Sequence, residues 1–598
     1  MKKFFLLSLF SLLSSLFTIS VSAQSFELRL LNHWDNPNGT VERGFAGRSI
    51  WKWEEIPADK KAMPKALRER YEEYGRVNQE LGINGTVLNN VNAKPEMLTT
   101  SMLRKTAKIA DVLRPYGLRV YLSVNFASPK ALGDVATADP LDEKVQQWWK
   151  KKADEIYKLI PDFGGFLVKA NSEGEPGPMD YGRTHVDGAN MLAAALQPHG
   201  GIVMWRAFVY SAKGGDRANQ AYEEFMPYDG QFADNVIIQI KNGPIDFQPR
   251  EAVSPLFFSL KKTKMMIEFQ ITQEYTGESI HTCFLAPMWK ECLNQVMAQP
   301  SAKELIVGVA GVANIGDSPN WTSSDLAMSN WYAFGKLASN ATMSSREIAE
   351  GFLRQYFTED ERFVKPVAQI LLKSREAVVD YMMPMGLHHI FAGGHHYGPE
   401  PWYAPRGSRE DWLPRYYHRA DSLGLGFNRT DHAEPCLAGD MGSNNVAQYP
   451  EPLRTIYNQL ETCPTNLLLW FHHVPWDYEM DNGLTMWENL CYSYDRGVRQ
   501  AEEFVKIWKS VSPYIQTPQY SKHFQATMAE VYGRQLARFE RQARDAQWWR
   551  DACLLYFQTF SRRPLPADSP LPQFKLDELM KYHLRMDNYT AADMQQLP

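Results

Sequence analysis

The 598-residue sequence has little cysteine. Its six residues of that type (Cys283, Cys292, Cys436, Cys463, Cys491 and Cys553) show no C-x-x-C spacing and are too few to frame a disulfide-built fold. Some can pair in an oxidising compartment, but a core of this size does not need them. A basic surplus is also lacking. The formal net charge of -5 leaves no field to hold a nucleic-acid backbone or an anionic membrane, so neither is expected as a partner. Beyond the first two dozen residues no apolar run reaches the ~18 residues needed to cross a bilayer. No Gly-rich phosphate loop, Gly-x-Ser-x-Gly elbow or dinucleotide fingerprint stands at a strand-to-helix junction, which removes the sequence signs of nucleotide cofactors and of serine esterases. No tract is depleted in apolar residues; with 44% hydrophobic and 22% charged residues the chain should fold throughout.

What is present begins with a leader. Lys2 and Lys3 precede an apolar stretch over residues 4–19, and Val21-Ser22-Ala23 resembles a small-residue cleavage site. Residues 1–23 are therefore expected to be a signal peptide and the mature protein periplasmic or secreted, with no cysteine after the site to carry a lipid. The chain exceeds the ~250–300 residues at which single cores stop growing, so two domains or more are expected. Aromatic content of 13%, with 17 Trp and 28 Tyr, suits both a large aromatic core and the stacking of sugar rings.

From residue 24 to 343 short apolar runs alternate with helix-compatible stretches, the pattern of a parallel sheet joined by crossover helices. The runs cover residues 28–34, 85–91, 118–126, 164–170, 202–208, 236–241, 265–271 and 306–313. Eight is the number that closes a (β/α)8 TIM barrel; an open doubly wound sheet allows the same alternation, but eight evenly spaced units favour closure. Asp139 and Pro140 read as N-cap and first residue of a helix carrying Val145, Trp148, Trp149, Ile156 and Leu159 on one face. After Met343 helix-compatible segments at 345–356, 364–381 and 497–511 dominate, predicting a mostly α-helical C-terminal domain over 344–598. Its loops at 386–405 and 423–452 are too long to be simple connectors.

In a barrel of this kind chemistry sits at the C-terminal strand ends, and here those ends are polar. Run one ends in His33-Trp34-Asp35, run two in Asn89-Asn90-Val91-Asn92, run four in Lys169-Ala170-Asn171-Ser172-Glu173, run five in Arg206, and run six in Lys241 followed by Asp246. Run seven carries Glu268 and Gln270 and leads to Glu274. Paired carboxyl groups flanking a scissile bond are the equipment of glycoside hydrolysis. Three cations, Lys169, Arg206 and Lys241, exceed what a neutral sugar needs, and would pair with the carboxylate of an acidic one. The same charges could instead neutralise one another in structural ion pairs. Glu173, in a Gly/Pro-rich turn, suits a general acid; Glu175, two residues on beside Pro176, reads as a solvated loop residue. Histidines stand in three adjacent pairs, His388-His389, His395-His396 and His472-His473, but neighbours point apart and Gly393 and Gly394 break any helix that could align the first four. No metal and no cofactor are expected; the histidines read as sugar-hydroxyl ligands or ordinary loop residues.

Several of these segments resemble the family 67 glycoside hydrolases, the α-glucuronidases. The resemblance rests on Leu31-Asn32-His33-Trp34-Asp35-Asn36 with Gly39 to Gly44 and Ala46 to Trp51, on Lys169 to Pro178 with Tyr181-Gly182-Arg183-Thr184-His185, on Gly243 to Arg250, on Glu268 to Tyr275, and on Gly311 to Asp317 with Asn320-Trp321-Thr322. It extends over about residues 26–598. It implies an inverting hydrolase that releases (4-O-methyl-)glucuronic acid linked α-1,2 to the terminal xylose of short xylan fragments. Glu173 would be the general acid, and Asp246 and Glu274 would hold or deprotonate the water. Lys169, Arg206 and Lys241 would hold the uronate, with Val91 and Trp34 near the methyl ether and Trp476, in Phe471 to Asp477, stacking on substrate. The partner would be a small acidic oligosaccharide, and a homodimer through the C-terminal domain is compatible with the resemblance. Members of that family usually carry a β-rich domain ahead of the barrel, whereas here the leader runs into the first strand. A non-catalytic acidic-sugar-binding relative and a retaining glycosidase are the competing readings.

Overall fold

The computed structural model describes residues 25–133, 135–208, 210, 215–393, 396–431, 441–522 and 524–581. The leader (1–23), Cys436, Gly394 and His395 lie outside these residues. Eight strands, β1 (Leu28–Asn32), β2 (Gly85–Val87), β3 (Arg119–Ser123), β4 (Gly165–Val168), β5 (Ile202–Arg206), β6 (Val236–Lys241), β7 (Met265–Gln270) and β8 (Ile306–Val312), close into a parallel barrel in chain order. Closure is made by β1, whose Leu30 lies opposite Gly85 and whose Asn32 lies opposite Val312. Such strands are covered on both faces, hence their near-continuous apolar sequence; all six residues of β6 and of β7 are buried. At Gly165, with φ of 140°, a Cβ would lie 2.0 Å from the Ile202 carbonyl oxygen, so only glycine lets β4 approach β5 there.

The expected runs overshoot most strands at the C-terminal end. Residues such as Leu88, Val91, Val124 and Phe126 are as buried as a strand but lie in the mouth loops, where burial comes from packing and not from pairing. Helices α1 (Lys65–Leu81), α2 (Thr100–Leu113), α3 (Glu143–Leu159), α4 (His185–Leu196), α5 (Arg217–Phe225), α6 (Ala286–Met297) and α7 (Met328–Ser339) follow β1 to β5, β7 and β8; between β6 and β7 the chain makes only the turn Leu256–Ser259. Helix α3 starts three residues later than the Asp139-Pro140 pair predicts. Asp142 is its N-cap, accepting from the Lys144 and Val145 amides at 2.8 and 3.2 Å, while Asp139 accepts from the Leu141 amide at 3.0 Å and from the Arg183 guanidinium at 2.9 Å. The expected apolar face stands, with Val145, Trp148, Trp149 and Ile156 buried.

Beyond the barrel come α8 (Ser345–Tyr356), α9 (Glu361–Met382), α10 (Met486–Val511) and α11 (Met528–Ser561), with α10 packed between α9 and α11. A capping box starts α8, where Ser344 Oγ accepts from the Glu347 amide and the Glu347 carboxylate from the Ser344 amide. Gly497, the expected start of a helix, lies inside α10: a Cβ there would sit 2.5 Å from the Tyr381 amide nitrogen, so this glycine sets the close approach of α9 and α10. One apolar core runs unbroken from the barrel, Leu30 and Val87, to Trp508 and Phe557 of the helices. A buried ion pair also joins the two parts: Asp216, the N-cap of α5, accepts from Arg429 Nε at 2.8 Å and from Ser443 Oγ at 2.7 Å. All five described cysteines are buried free thiols. Among the described residues no helix is long and apolar enough to cross a membrane.

A glycine-to-alanine change inside a helix ordinarily gains about 0.5–1 kcal/mol. Gly497→Ala should instead destabilise by about 1–3 kcal/mol, because α9 and α10 must move apart; the shift of the chemical-unfolding midpoint measures it, and a more stable variant would contradict the packing.

Candidate active site

At the C-terminal mouth of the barrel a cavity of about 300 Å³ is lined by Trp34, Val91, Lys169, Glu173, Arg206, Lys241, Asp246 and Glu274, eight of the nine residues singled out from the sequence. They arrive from the ends of β1, β2, β4, β5 and β6 and from the loops after β4, β6 and β7. The ninth, Trp476, is elsewhere. It is 2% exposed, donates its indole N–H to the Asp421 carbonyl at 2.9 Å and packs edge-on against Trp487. That tryptophan borders a different cavity, with Leu423, His473, Pro475 and Arg563, and not this one.

Each of the three cations has a carboxylate. Lys169 Nζ lies 2.5 Å from Glu173 Oε2 and 2.8 Å from Asn92 Oδ1. Lys241 Nζ lies 2.6 Å from Asp246 Oδ1. Arg206 makes a two-pronged pair with Glu268, 2.9 Å from Nε and 2.7 Å from Nη2, with both side chains at most 3% exposed. The ion-pair alternative therefore holds most fully for Arg206, whose fork is committed to Glu268, itself bonded to Gln239 at 2.9 Å. All three cations also lie within reach of the Phe208 ring, with Lys241 Nζ 3.5 Å from its centroid. Burial lowers the Lys241 pKa from its ordinary value despite Asp246.

The loop that presents Asp246 is held from beneath by Glu251, whose side chain is fully buried. Its carboxylate accepts from the backbone amides of Ile245, Asp246 and Gln248 at 3.0, 2.8 and 3.2 Å and pairs with His388 at 3.2 Å. Gly243 leaves room for it, since a Cβ there would meet Glu251 Oε2 at 2.2 Å. The Tyr275 hydroxyl donates to Asp246 Oδ2, so both oxygens of that carboxylate are engaged. Burial alone would raise the Asp246 pKa, but Lys241, Arg217 and the Tyr275 hydroxyl hold it well below the usual carboxylate range. Glu274 likewise stays below its ordinary value against burial, held by Arg43 Nε at 2.9 Å and His396 Nδ1 at 3.1 Å. Gln270 donates to its other oxygen at 2.9 Å.

Glu173 differs from these two. It is 41% exposed and sits with φ of 51°, two residues from Asn171 with φ of 52°, a left-handed pair that costs backbone energy and aims the carboxyl out of β4 into the cavity. Glu175 is not the solvated residue its position suggests. It is half-buried, accepts from Asn125 Nδ2 at 3.3 Å, and burial raises its pKa, yet it does not line the cavity.

Several further lining residues were not among the nine singled out from the sequence. Glu42, Arg43, Asn92, Phe208, Tyr210, Phe247 and Tyr275 come from the barrel; His389, Phe391, His396, Tyr403 and Trp412 come from the long loop after α9. Glu42, Arg43, Asn92, Phe247 and Tyr275 fall inside segments already notable in the sequence, and the excess length of loop 386–405 was the signal for His389, Phe391, His396 and Tyr403. Of the histidine pairs, His389 and His396 reach the cavity, whereas His388, His472 and His473 bond protein groups. Among the described residues no three His, Cys, Asp or Glu side chains are grouped to hold a metal ion.

Residues 14–321 match the glycosyl hydrolase family 67 middle domain and residues 322–570 the glycosyl hydrolase family 67 C-terminus. The chain is 40% identical over 576 residues to Alpha-glucuronidase A of Emericella nidulans, covering 92% of this chain and 64% of that protein. It is 38% identical over 568 residues to Alpha-glucuronidase of Hypocrea jecorina, covering 91% and 63%. The chain thus spans just under two thirds of the length of these relatives.

Removing one partner of a buried ion pair strands the other. Glu268→Ala should therefore lower stability by about 3–5 kcal/mol, read from the unfolding midpoint, and a loss below about 1 kcal/mol would show that water reaches Arg206 and that the pair is not structural.

Proposed function

This chain belongs to glycosyl hydrolase family 67, and from that premise we propose that it is an inverting α-glucuronidase that cleaves the α-1,2 link between (4-O-methyl-)glucuronic acid and the terminal xylose of glucuronoxylooligosaccharides. One observation carries the reading: Glu173, Asp246 and Glu274 share a single cavity with Lys169, Arg206 and Lys241. Carboxyl groups suffice for glycoside hydrolysis, and buried ammonium groups beside them give an acidic sugar somewhere to place its own carboxylate.

In the proposed reaction Glu173 gives its proton to the glycosidic oxygen, which takes the electron pair of the breaking C1–O bond. A water held by Asp246 and Glu274 bonds to C1 from the opposite face and passes its proton to that carboxylate pair. Glu173 suits the acid role because its exposed carboxyl can be reloaded from solvent once the substrate carboxylate has drawn Lys169 from it, while the two buried carboxylates stay ionised beside Lys241 and Arg43. Arg206 serves mainly by fixing the floor of the site through Glu268, and Lys169 and Lys241 are the groups that can exchange a protein carboxylate for the substrate's. Trp34 and Val91, 8% and 4% exposed, form an apolar wall suited to the methyl ether. The cavity is closed on one side by Phe391, Tyr403 and Trp412, and a pocket of that shape accepts chain ends more readily than chain middles. The leader-like residues 1–23 support action outside the cytoplasm, where such fragments arise.

Glu173→Ala should lower kcat on aldotriouronic acid by about 10²–10⁴ while glucuronate still binds; near-normal turnover would sink the acid assignment. Following the released sugar by proton NMR should show the β anomer first, and initial α anomer would mean retention. Because the base must be ionised and Glu274 is held below its ordinary value of 4.5, the acid limb of kcat/KM should fall below pH 4.5. A limb above pH 5.5 would contradict this electrostatic reading.

A further inference from the structure

We propose that Glu42 is a positioning residue for substrate binding: through the side-chain amide of Asn92 it holds the Lys169 ammonium in place for the substrate carboxylate. The inference rests on the uronate-binding role given to Lys169 above. Among the described residues the hydrogen-bond partners of Lys169 Nζ are Glu173 Oε2 at 2.5 Å and Asn92 Oδ1 at 2.8 Å. The two are unequal during turnover. Glu173 must carry a proton before it can give one to the glycosidic oxygen, and a protonated carboxyl is no counter-ion. The Asn92 oxygen is neutral throughout, so its hydrogen bond remains when the ion pair is exchanged for the substrate's carboxylate. A lysine needs such a tether, because its ammonium is a point charge on a flexible four-carbon stem.

Asn92 can do this in one orientation of its amide only. Its Nδ2 donates to Glu42 Oε2 at 2.8 Å, which leaves Oδ1 to face the ammonium. Turned over, the amide would set its N–H groups against Lys169 and its oxygen against the Glu42 carboxylate, two repulsive contacts in place of two attractive ones. The same Glu42 oxygen accepts from Asn90 Nδ2 at 2.9 Å, and Asn90 Oδ1 accepts from the Asn92 backbone amide at 3.0 Å. Both the side chain and the backbone of Asn92 are therefore held from Glu42.

These contacts join three strand ends of the barrel mouth. Glu42 follows β1, Asn92 follows β2 and Lys169 follows β4, at separations of 50 and 77 residues. The Glu42 backbone N–H donates to the Trp34 carbonyl at 3.0 Å, and Val91 lies between the two asparagines that Glu42 binds. Trp34, Val91, Asn92, Lys169 and Glu42 all line the one cavity. A single carboxylate thus sets the spacing between the cation and the apolar wall proposed for the methyl ether. Glu42 acts here on Asn92 and Lys169, without touching a reacting atom.

The test is a double-mutant cycle on the full chain, reading the Kd of glucuronate by calorimetry. Glu42→Met and Asn92→Leu, which keep the volume and remove the polar contacts, should each weaken binding about tenfold. Glu42→Gln keeps an acceptor for both asparagines and should stay within about threefold of the parent. In a Lys169→Met background Glu42→Met should change Kd by less than about twofold, because the group it positions is gone. A second full loss in that background overturns the proposal, since Glu42 would then act on the ligand or the fold independently of Lys169. So does Glu42→Met binding like the parent, or Glu42→Gln binding as weakly as Glu42→Met. Crystal structures of Glu42→Met and Asn92→Leu without ligand should show Lys169 Nζ moved from its place in the parent; an unmoved ammonium overturns the tether by itself. A parent that binds no glucuronate sinks the uronate reading instead, and the crystal structures then decide the tether alone.

Discussion

Buried positive charge is the constraint around which this barrel mouth is arranged. Lys169, Arg206 and Lys241 are each no more than 5% exposed, and a cation taken out of water to that degree costs several kcal/mol unless paired. The chain meets that cost three times, with Glu173, Glu268 and Asp246, and the more exposed Arg43 pairs with Glu274. These carboxylates and cations are therefore one electrostatic unit. Under the proposed function an entering uronate would not meet bare charge; it would compete with carboxylates already there. The Phe208 ring, close to three of the cations, offsets part of their mutual repulsion.

Holding such a unit in place needs support from outside the barrel. Glu251 fixes the Asp246 loop through three backbone amides, and His388, which bonds Glu251, comes from the segment after α9. Gln248 exchanges two hydrogen bonds with His389 of the same segment. Arg217, buried at the start of α5, bonds Tyr417 and stacks on Tyr210. Through these contacts the helical part is an integral wall of the site, which agrees with the single core that joins it to the barrel.

The barrel was legible because each strand is an apolar run with a polar end, and that pattern depends on local sequence alone. What misled lay at long range. The helix expected from Asp139 starts later: Asp139 caps only the Leu141 amide of a turn and pairs with Arg183, 44 residues away, while Asp142 takes the N-cap. Charge at the strand ends announced an acidic ligand, but the sequence could not say that Arg206 is spoken for by Glu268, 62 residues on. Trp476 was expected at the substrate from the resemblance of its segment alone; here it packs against Trp487 and borders a different cavity. Arg43 and His396 reach Glu274 across 231 and 122 residues, separations at which no spacing rule operates. Glu175 misled in the opposite sense, since a residue beside proline in a glycine-rich turn reads as solvated, yet the turn folds back and half-buries it.

The central claim is that this pocket is built for a sugar bearing a carboxylate. Titrating the protein with glucuronate and with glucose by calorimetry tests it directly, the two ligands differing at C6 alone. The account predicts glucuronate the tighter by at least about 1.4 kcal/mol, a factor of ten. Equal affinities, or tighter binding of glucose, would contradict it.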